Sequence, residues 1–258
     1  KKAGRIAAEG MVYAVANANG AVVVEVNAET DFVAKNDKFV EFTKDLANVV
    51  AEQKPADVEA LMGCKMGEGT VDEALKALIL VIKENIKVRR FTRYEGVCSA
   101  YVHGGGTHGI LVNFETTNGI EAKDEFVAYG KDIAMQIAAL NPRFWDKSQV
   151  TDEVLAEEKK IALALMDTDP KMASKPEAVK EKIVMGKMNK FYEENCLLQM
   201  EFVRSDIFQG SVEKYIADAA KKLGGSVKFV DAVRFEKGEG IEKKQENFAE
   251  EIASMIKG

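Results

Sequence analysis

Apolar and polar residues alternate along this chain in blocks that repeat. Glu9-Gly10-Met11-Val12-Tyr13-Ala14 and Gly20-Ala21-Val22-Val23-Val24 flank Asn17-Ala18-Asn19-Gly20. β-Branched runs around an Asn/Gly turn predict an antiparallel hairpin, because those turn residues tolerate the positive φ that tight hairpins need. A helix then opens near Asn36 or Asp37. It sets Phe39, Phe42, Leu46, Val49 and Val50 on one face at spacings of three and four. Aromatics at helical spacing are core residues.

The same order of patterns returns. Glu95-Gly96-Val97-Cys98-Ser99-Ala100-Tyr101 echoes the first strand, and Gly109-Ile110-Leu111-Val112 echoes the second. DKFVEFTKDLA (Asp37 to Ala47) aligns with DEFVAYGKDIA (Asp124 to Ala134), identical at six of eleven positions. The second helix repeats the apolar face with Phe126, Tyr129, Ile133, Ile137 and Leu140. A duplicated supersecondary unit fixes the architecture: strand, turn, strand, helix, twice. Closing strands are expected at Lys87 to Tyr94 and Val227 to Glu236. Two small antiparallel sheets backed by helices make the class α+β.

Between the second helix and its closing strand lies an insertion, roughly Gln149 to Arg204. Val150, Val154, Ile161 and Leu165 mark one amphipathic helix and Val179, Ile183 and Phe191 a second. The Pro-containing link from Asp167 to Pro176 joins them, which predicts an antiparallel helical hairpin. A last helix is expected over Glu242 to Lys257, with Phe248, Ile252 and Ile256 on its apolar side. The expected organisation is a first core subdomain over 1–94, a second over 95–148 and 205–238, the inserted hairpin over 149–204 and a C-terminal helical module over 239–258.

Composition narrows the function classes. A net charge of −6 removes the clustered positive charge that nonspecific nucleic-acid binding needs, so no direct nucleic-acid partner is expected. Cys64, Cys98 and Cys196 form no C-x-x-C and no credible disulfide framework, which fits a reducing, cytoplasmic setting. No uncharged run approaches the roughly 18–20 residues of a membrane span, and no signal peptide is visible. A chain opening on Lys1 reads as a fragment, a processed chain or a trimmed one.

Two motifs suggest chemistry that the context denies them. Gly104-Gly105-Gly106-Thr107-His108-Gly109 fits G-x-G-x-x-G, but strand-like Ile110-Leu111-Val112-Asn113-Phe114 follows it. A pyrophosphate cradle needs a helix N-terminus there, so the glycines read as a hairpin loop. His103 and His108 lack a third and fourth metal ligand. No nucleophile turn or acid–base pair stands out. The chain reads as a protein without catalytic residues, cofactor or metal rather than as an enzyme.

The segment Glu29-Thr30-Asp31-Phe32-Val33-Ala34-Lys35-Asn36 sets an aromatic beside a carboxylate in a strand-to-helix connection. On residue types alone, Phe32 is either a hydrophobic staple on Phe39 or Val40, with Asp31 as a local cap, or a tip aimed outward. The wording Thr30-Asp31-Phe32-Val33-Ala34-Lys35 resembles the signature of the elongation factor Ts family. So do KKAGRIAAEG at the start, Glu84-Asn85-Ile86-Lys87-Val88-Arg89-Arg90, Tyr101-Val102-His103, Gly186 to Val203, and Val233 to Lys243, in that order and at those spacings.

The resemblance implies a guanine-nucleotide exchange factor of translation elongation. Its partner is the GTPase elongation factor Tu, GDP-bound or nucleotide-free, whose magnesium site the Thr30, Asp31, Phe32 and Val33 stretch disturbs. It further implies that His103 with Tyr101 contacts another domain of the GTPase, and that the module from Glu242, including Phe248, grips it. The insertion matches the family's coiled-coil arm. A small N-terminal helical domain usual in bacterial members is absent from this sequence. A homodimer or higher complex stays open. So does the alternative of a noncatalytic scaffold binding another GTPase, or a ribosome or replicase complex, through the arm.

Overall fold

The computed structural model describes residues 4–17 and 19–242. The helix expected from Glu242 lies outside them apart from its first residue. The class is α+β, with small antiparallel sheets of three, two and three strands. The elements in order are β1 (Glu9–Asn17), β2 (Gly20–Ala28), α1 (Asp37–Gln53), α2 (Val58–Met62), β3 (Lys65–Met66), β4 (Gly69–Thr70), α3 (Val71–Ile82), β5 (Lys87–Tyr94), β6 (Val97–His103) and β7 (His108–Thr116). They continue with α4 (Asp124–Leu140), α5 (Asp152–Thr168), α6 (Pro170–Ala173), α7 (Glu177–Asn195), α8 (Val212–Leu223) and β8 (Val227–Glu236). Among the described residues, those of 4–95, 100–111 and 235–242 cluster as one compact unit, and 96–99 with 112–234 as another.

In the first unit, β1, β2 and β5 pair antiparallel in the order β1–β2–β5. β2 is buried along nearly its whole length because both its faces are covered. Val22, Val24 and Val26 meet Phe39, Phe42, Leu46 and Val50 of α1 in one core. On the other face, Gly109 sits so close that a Cβ there would lie 2.5 Å from Val12 and 3.0 Å from Val23. A continuous apolar strand is the sequence pattern that two-sided burial demands. Arg93 links β5 to its neighbours, donating to the Ala51 carbonyl at 3.2 Å and the Asn19 carbonyl at 2.6 Å.

One charge interrupts that apolar strand. Glu25 is fully buried. It accepts hydrogen bonds from the Asn27 amide at 3.0 Å, Arg89 at 3.2 Å, Arg90 Nε at 2.6 Å and the Gly238 N–H at 2.8 Å. Burial pushes its carboxyl up, but the Asn27 and Gly238 hydrogen bonds and the Arg90 guanidinium outweigh this and hold it below the ordinary range. Arg90 also lies 4.1 Å from the Phe235 ring centroid, and Lys237 pairs with Glu9. The chain after β8 is thereby fastened to the sheet. Gly238 is required there: its φ is +72°, and a Cβ would fall 2.3 Å from the Ala8 carbonyl oxygen.

The second unit holds α4 to α8 with residues 112–116 of β7 and 227–234 of β8. β6, β7 and β8 form a sheet in that order. Phe114 meets Phe126 and Phe229 edge-on at 5.6 and 6.4 Å between centroids. Phe126, Ile133 and Ile137 of α4 are buried, whereas Leu140, expected on the same face, is exposed at the helix end. Tyr215 of α8 stacks on Phe202 at 3.9 Å.

The insertion contains the two expected helices, α5 and α7, but only part of each expected face is buried: Val150, Val154, Ile183 and Phe191 pack inward. Ile161 and Leu165 are exposed, and so is Val179. The contact is made by Met166, Val184 and Met188, with Leu155, Ile183 and Met172 partly buried beside them. The flexible methionines fill the irregular gap. Val150 and Phe191 are buried at the arm's base with Cys196.

Candidate functional site

The connection from β2 to α1 is short and held from both ends. On the helix side, Asn36 caps α1, accepting from Lys38 N at 3.0 Å and Phe39 N at 3.4 Å. The cap residue is thus Asn36 and not Asp31, which is exposed. Val33 to Lys35 form one 3-10 turn, with Asn36 N donating to the Val33 carbonyl at 2.9 Å. Val33, expected among the contact residues, is instead buried in the core that includes Phe39. Its chain position beside the tip makes it an anchor.

Phe32 is left standing between these supports. Its backbone is right-handed helical (φ −63°, ψ −37°), and its side chain is 80% exposed, the most exposed large apolar residue among those described. A staple against Phe39 or Val40 would bury the ring, so that reading falls. Leaving a Phe in water forgoes about 1.5–3 kcal/mol of burial. Folding gains nothing from an aromatic in that position.

On the strand side, a second segment grips the loop. α3 ends with Lys83 in the left-handed region (φ +66°), its N–H donating to the Ile79 carbonyl at 2.8 Å. The chain then turns off the helix axis and presents Glu84. Glu84 Oε2 accepts from Glu29 N and Thr30 N, both at 3.1 Å, and Oε1 accepts from the Thr30 hydroxyl at 2.7 Å. In return, Glu29 Oε1 accepts from Asn85 N at 2.6 Å, and the Asn85 amide donates to the Arg5 carbonyl at 2.6 Å. Sequence reasoning quoted Glu84 and Asn85 only as part of a matching block and saw no role for Glu29. The available signal was a Glu-Asn pair directly after an apolar helix and before a strand.

Tyr101 and His103 lie two apart on β6 and therefore on one face. The Tyr101 hydroxyl and His103 Nδ1 are 2.9 Å apart, and the His103 and His108 rings lie 6.1 Å apart. His103 is exposed, and its carbonyl accepts from the Thr107 hydroxyl at 3.0 Å. This pair forms a small site of its own, separate from the 29–36 loop. The glycines Gly104 to Gly106 occupy the turn between β6 and β7, so a strand follows them and no amide cradle forms. Glu242 is exposed and borders a cleft of about 440 Å³ with Arg5, Asn27, Lys87, Arg89 and Ile241. Phe248 lies outside the described residues. Among the described residues, no cluster of His, Cys, Asp and Glu could hold a metal, and no helix is long and apolar enough to cross a membrane.

The 29–36 loop thus presents one exposed aromatic ring beside an exposed carboxylate. The family profile described as Elongation factor TS matches residues 29–239, opening at the Glu29 of this loop and closing at the Glu239 that follows Gly238. The chain belongs to the elongation factor Ts family. It is 42% identical to the elongation factor Ts of Syntrophotalea carbinolica, an alignment covering all of this chain and 84% of that one. The elongation factors Ts of Clostridium kluyveri and Clostridioides difficile are each also 42% identical, with the same coverage of both chains. The family places the protein among translation elongation factors.

Proposed function

We propose that this protein is a guanine-nucleotide exchange factor for elongation factor Tu and that Phe32 is the wedge it uses. The observation that supports this reading best is an aromatic ring 80% exposed on a loop fixed at both ends. A GTPase holds GDP through a phosphate-cradling loop and a magnesium ion that bridges phosphate to protein oxygens. Burying a Phe ring removes roughly 150–250 Å² from water, a gross gain of about 4–6 kcal/mol at about 25 cal/mol per Å². Association costs reduce that gain. It accelerates release only if the ring fits the nucleotide-free partner better than the GDP-bound one. The coupling is then reciprocal, so GDP weakens the factor's binding by the same ratio that the factor weakens GDP binding.

Asp31, exposed beside the ring, contacts the displaced partner element, and Thr30 and Val33 hold the backbone behind it. Tyr101 and His103 form a second contact, on another domain of the GTPase. Glu242 and the residues after it, including Phe248, form a third. None of these roles needs an acid, a base or a cofactor.

Replacing Phe32 with Ala tests the wedge. The residue contributes little to the core, so the variant should melt with the parent protein. Stimulated GDP release from the Tu complex should slow at least about thirtyfold, the loss expected for a central aromatic anchor. Parent-like release from a folded Phe32→Ala protein would remove the assignment.

A further inference from the structure

We infer that Glu84 is a positioning residue for nucleotide release: its carboxylate fixes the 29–30 segment and so pre-orders the Phe32 tip. The inference rests on the wedge reading and adds the group that makes the wedge stiff. Three donors converge on this one side chain, two backbone N–H groups and a hydroxyl, with Thr30 only two residues from the ring. Hydrogen bonds to an ionised acceptor are the stronger kind. On the far side of the ring, Val33 is buried in the core. Phe32 therefore sits in a span of two residues, Asp31 and Phe32 itself, between a polar clamp and an apolar anchor, its own carbonyl accepting from Lys35 N at 3.2 Å.

The clamp is reciprocal. Glu84 takes the N–H groups of Glu29 and Thr30, while Glu29 takes the N–H of Asn85 at 2.6 Å. Each of two neighbouring segments thus satisfies the other's backbone donors, and neither can shift alone without leaving polar groups unpaired. Glu84 is half-buried and commits its carboxylate to this protein's own loop. It acts through Phe32, so its removal should matter only while the ring is there to be held.

Stiffness matters at one stage of release. An unclamped loop must be ordered as the ring enters the partner, and that ordering subtracts from the gain of insertion. The initial encounter uses other surfaces, so the loss should fall on the rate at saturation rather than on the concentration needed to reach it.

The test is a double-mutant cycle on the full chain with Tu–GDP, following release of a fluorescent GDP analogue. Glu84→Ala should lower the saturated release rate about tenfold, with the half-saturating concentration changed less than about twofold. On a Phe32→Ala background, Glu84→Ala should cost almost nothing further. Glu84→Gln, which keeps an acceptor for the two N–H groups and a donor for the Thr30 oxygen, should restore the rate to within about threefold. Amide hydrogen exchange at Glu29 and Thr30 should accelerate in Glu84→Ala and return towards parent values in Glu84→Gln, which also serves if the Ala variant fails to fold. Equal losses with and without Phe32 would overturn the positioning role, as would full activity of Glu84→Ala beside a slow Phe32→Ala. Full activity of Phe32→Ala would instead overturn the wedge reading, and the clamp's role with it.

Discussion

The duplication gives the molecule two versions of one loop, alike in their anchors and different at their tips. Aligning Asp37 of α1 with Asp124 of α4 sets Thr30 against Thr117, Phe32 against Gly119, Val33 against Ile120 and Asn36 against Lys123. Both loops carry a 3-10 turn, closed by Asn36 N on the Val33 carbonyl at 2.9 Å and by Lys123 N on the Ile120 carbonyl at 3.1 Å. Val33 and Ile120 are both buried. Both threonines are gripped by the segment preceding the third strand of their sheet. Thr30 is held by Glu84, and the Thr117 hydroxyl lies 2.9 Å from that of Ser226, whose backbone N–H also donates to it at 2.9 Å. The anchoring is shared.

The tips diverge. Phe32 is right-handed helical and projects its ring, while Asn118 and Gly119 are both left-handed, with φ of +61° and +66°. The Asn118 amide then donates to the Gly224 carbonyl at 3.0 Å, and Lys123 Nζ to the Leu223 carbonyl at 2.7 Å. One copy is aimed at solvent and the other is tied down to the end of α8. Repeating a unit preserves its fastening, and a local φ separates the loop that projects its tip from the one that is tied down.

The largest effect should come from the shared anchors. Ile120→Ala removes a fully buried side chain and should cost about 2–5 kcal/mol, and Val33→Ala, with less to lose, about 1–3 kcal/mol. Denaturant midpoints at unchanged slope would measure both. If Val33→Ala left stability untouched, the two positions would not be equivalent, and the correspondence of the loops would break at its base.

A smaller effect sharpens the difference at the tip. Gly119→Phe forces a bulky residue into the left-handed region at about 1–2 kcal/mol. It should lower the melting point without creating a second wedge. Placed on a Phe32→Ala background, it should leave GDP release slow. Recovered release would show that tip conformation is not what separates the copies.

How far these features could be read without coordinates varied with their physics. β5 and β8 were expected over Lys87 to Tyr94 and Val227 to Glu236, and the structure has both with those bounds, because β-branched and aromatic runs bounded by turns are a local signal. The apolar face of α1 was legible for the same reason. The β3–β4 hairpin was not, since two strands of two residues carry no period. α8 had a readable stripe in Val212, Tyr215, Ile216, Ala219, Ala220 and Leu223, but it lay inside a stretch read only for its closing strand. Charged groups were the hardest. Glu25 is buried in a strand and Glu84 serves a loop distant in sequence. Apart from Asn27 beside Glu25, their partners lie 54 to 213 residues away, which no local pattern encodes. Phe32 shows the same limit, since residue types alone could not separate staple from tip.

The smallest effect bears on which end of the loop positions the ring. Asn36 gives α1 a side-chain cap, whereas α4 begins at Lys123 with none. Asn36→Ala should therefore cost about 1 kcal/mol of stability, read from the melting temperature. Its effect on GDP release should stay within about threefold, because Val33 and Glu84 still bracket the ring after the cap is lost. The first turn of α1 would fray, but Phe39 holds the helix to the sheet from within the core. A loss of release matching that of Phe32→Ala would mean that the ring is aimed from the helix side. The grip on Thr30 would then be scaffolding common to both copies, and the wedge would owe its direction to the cap that only one copy possesses.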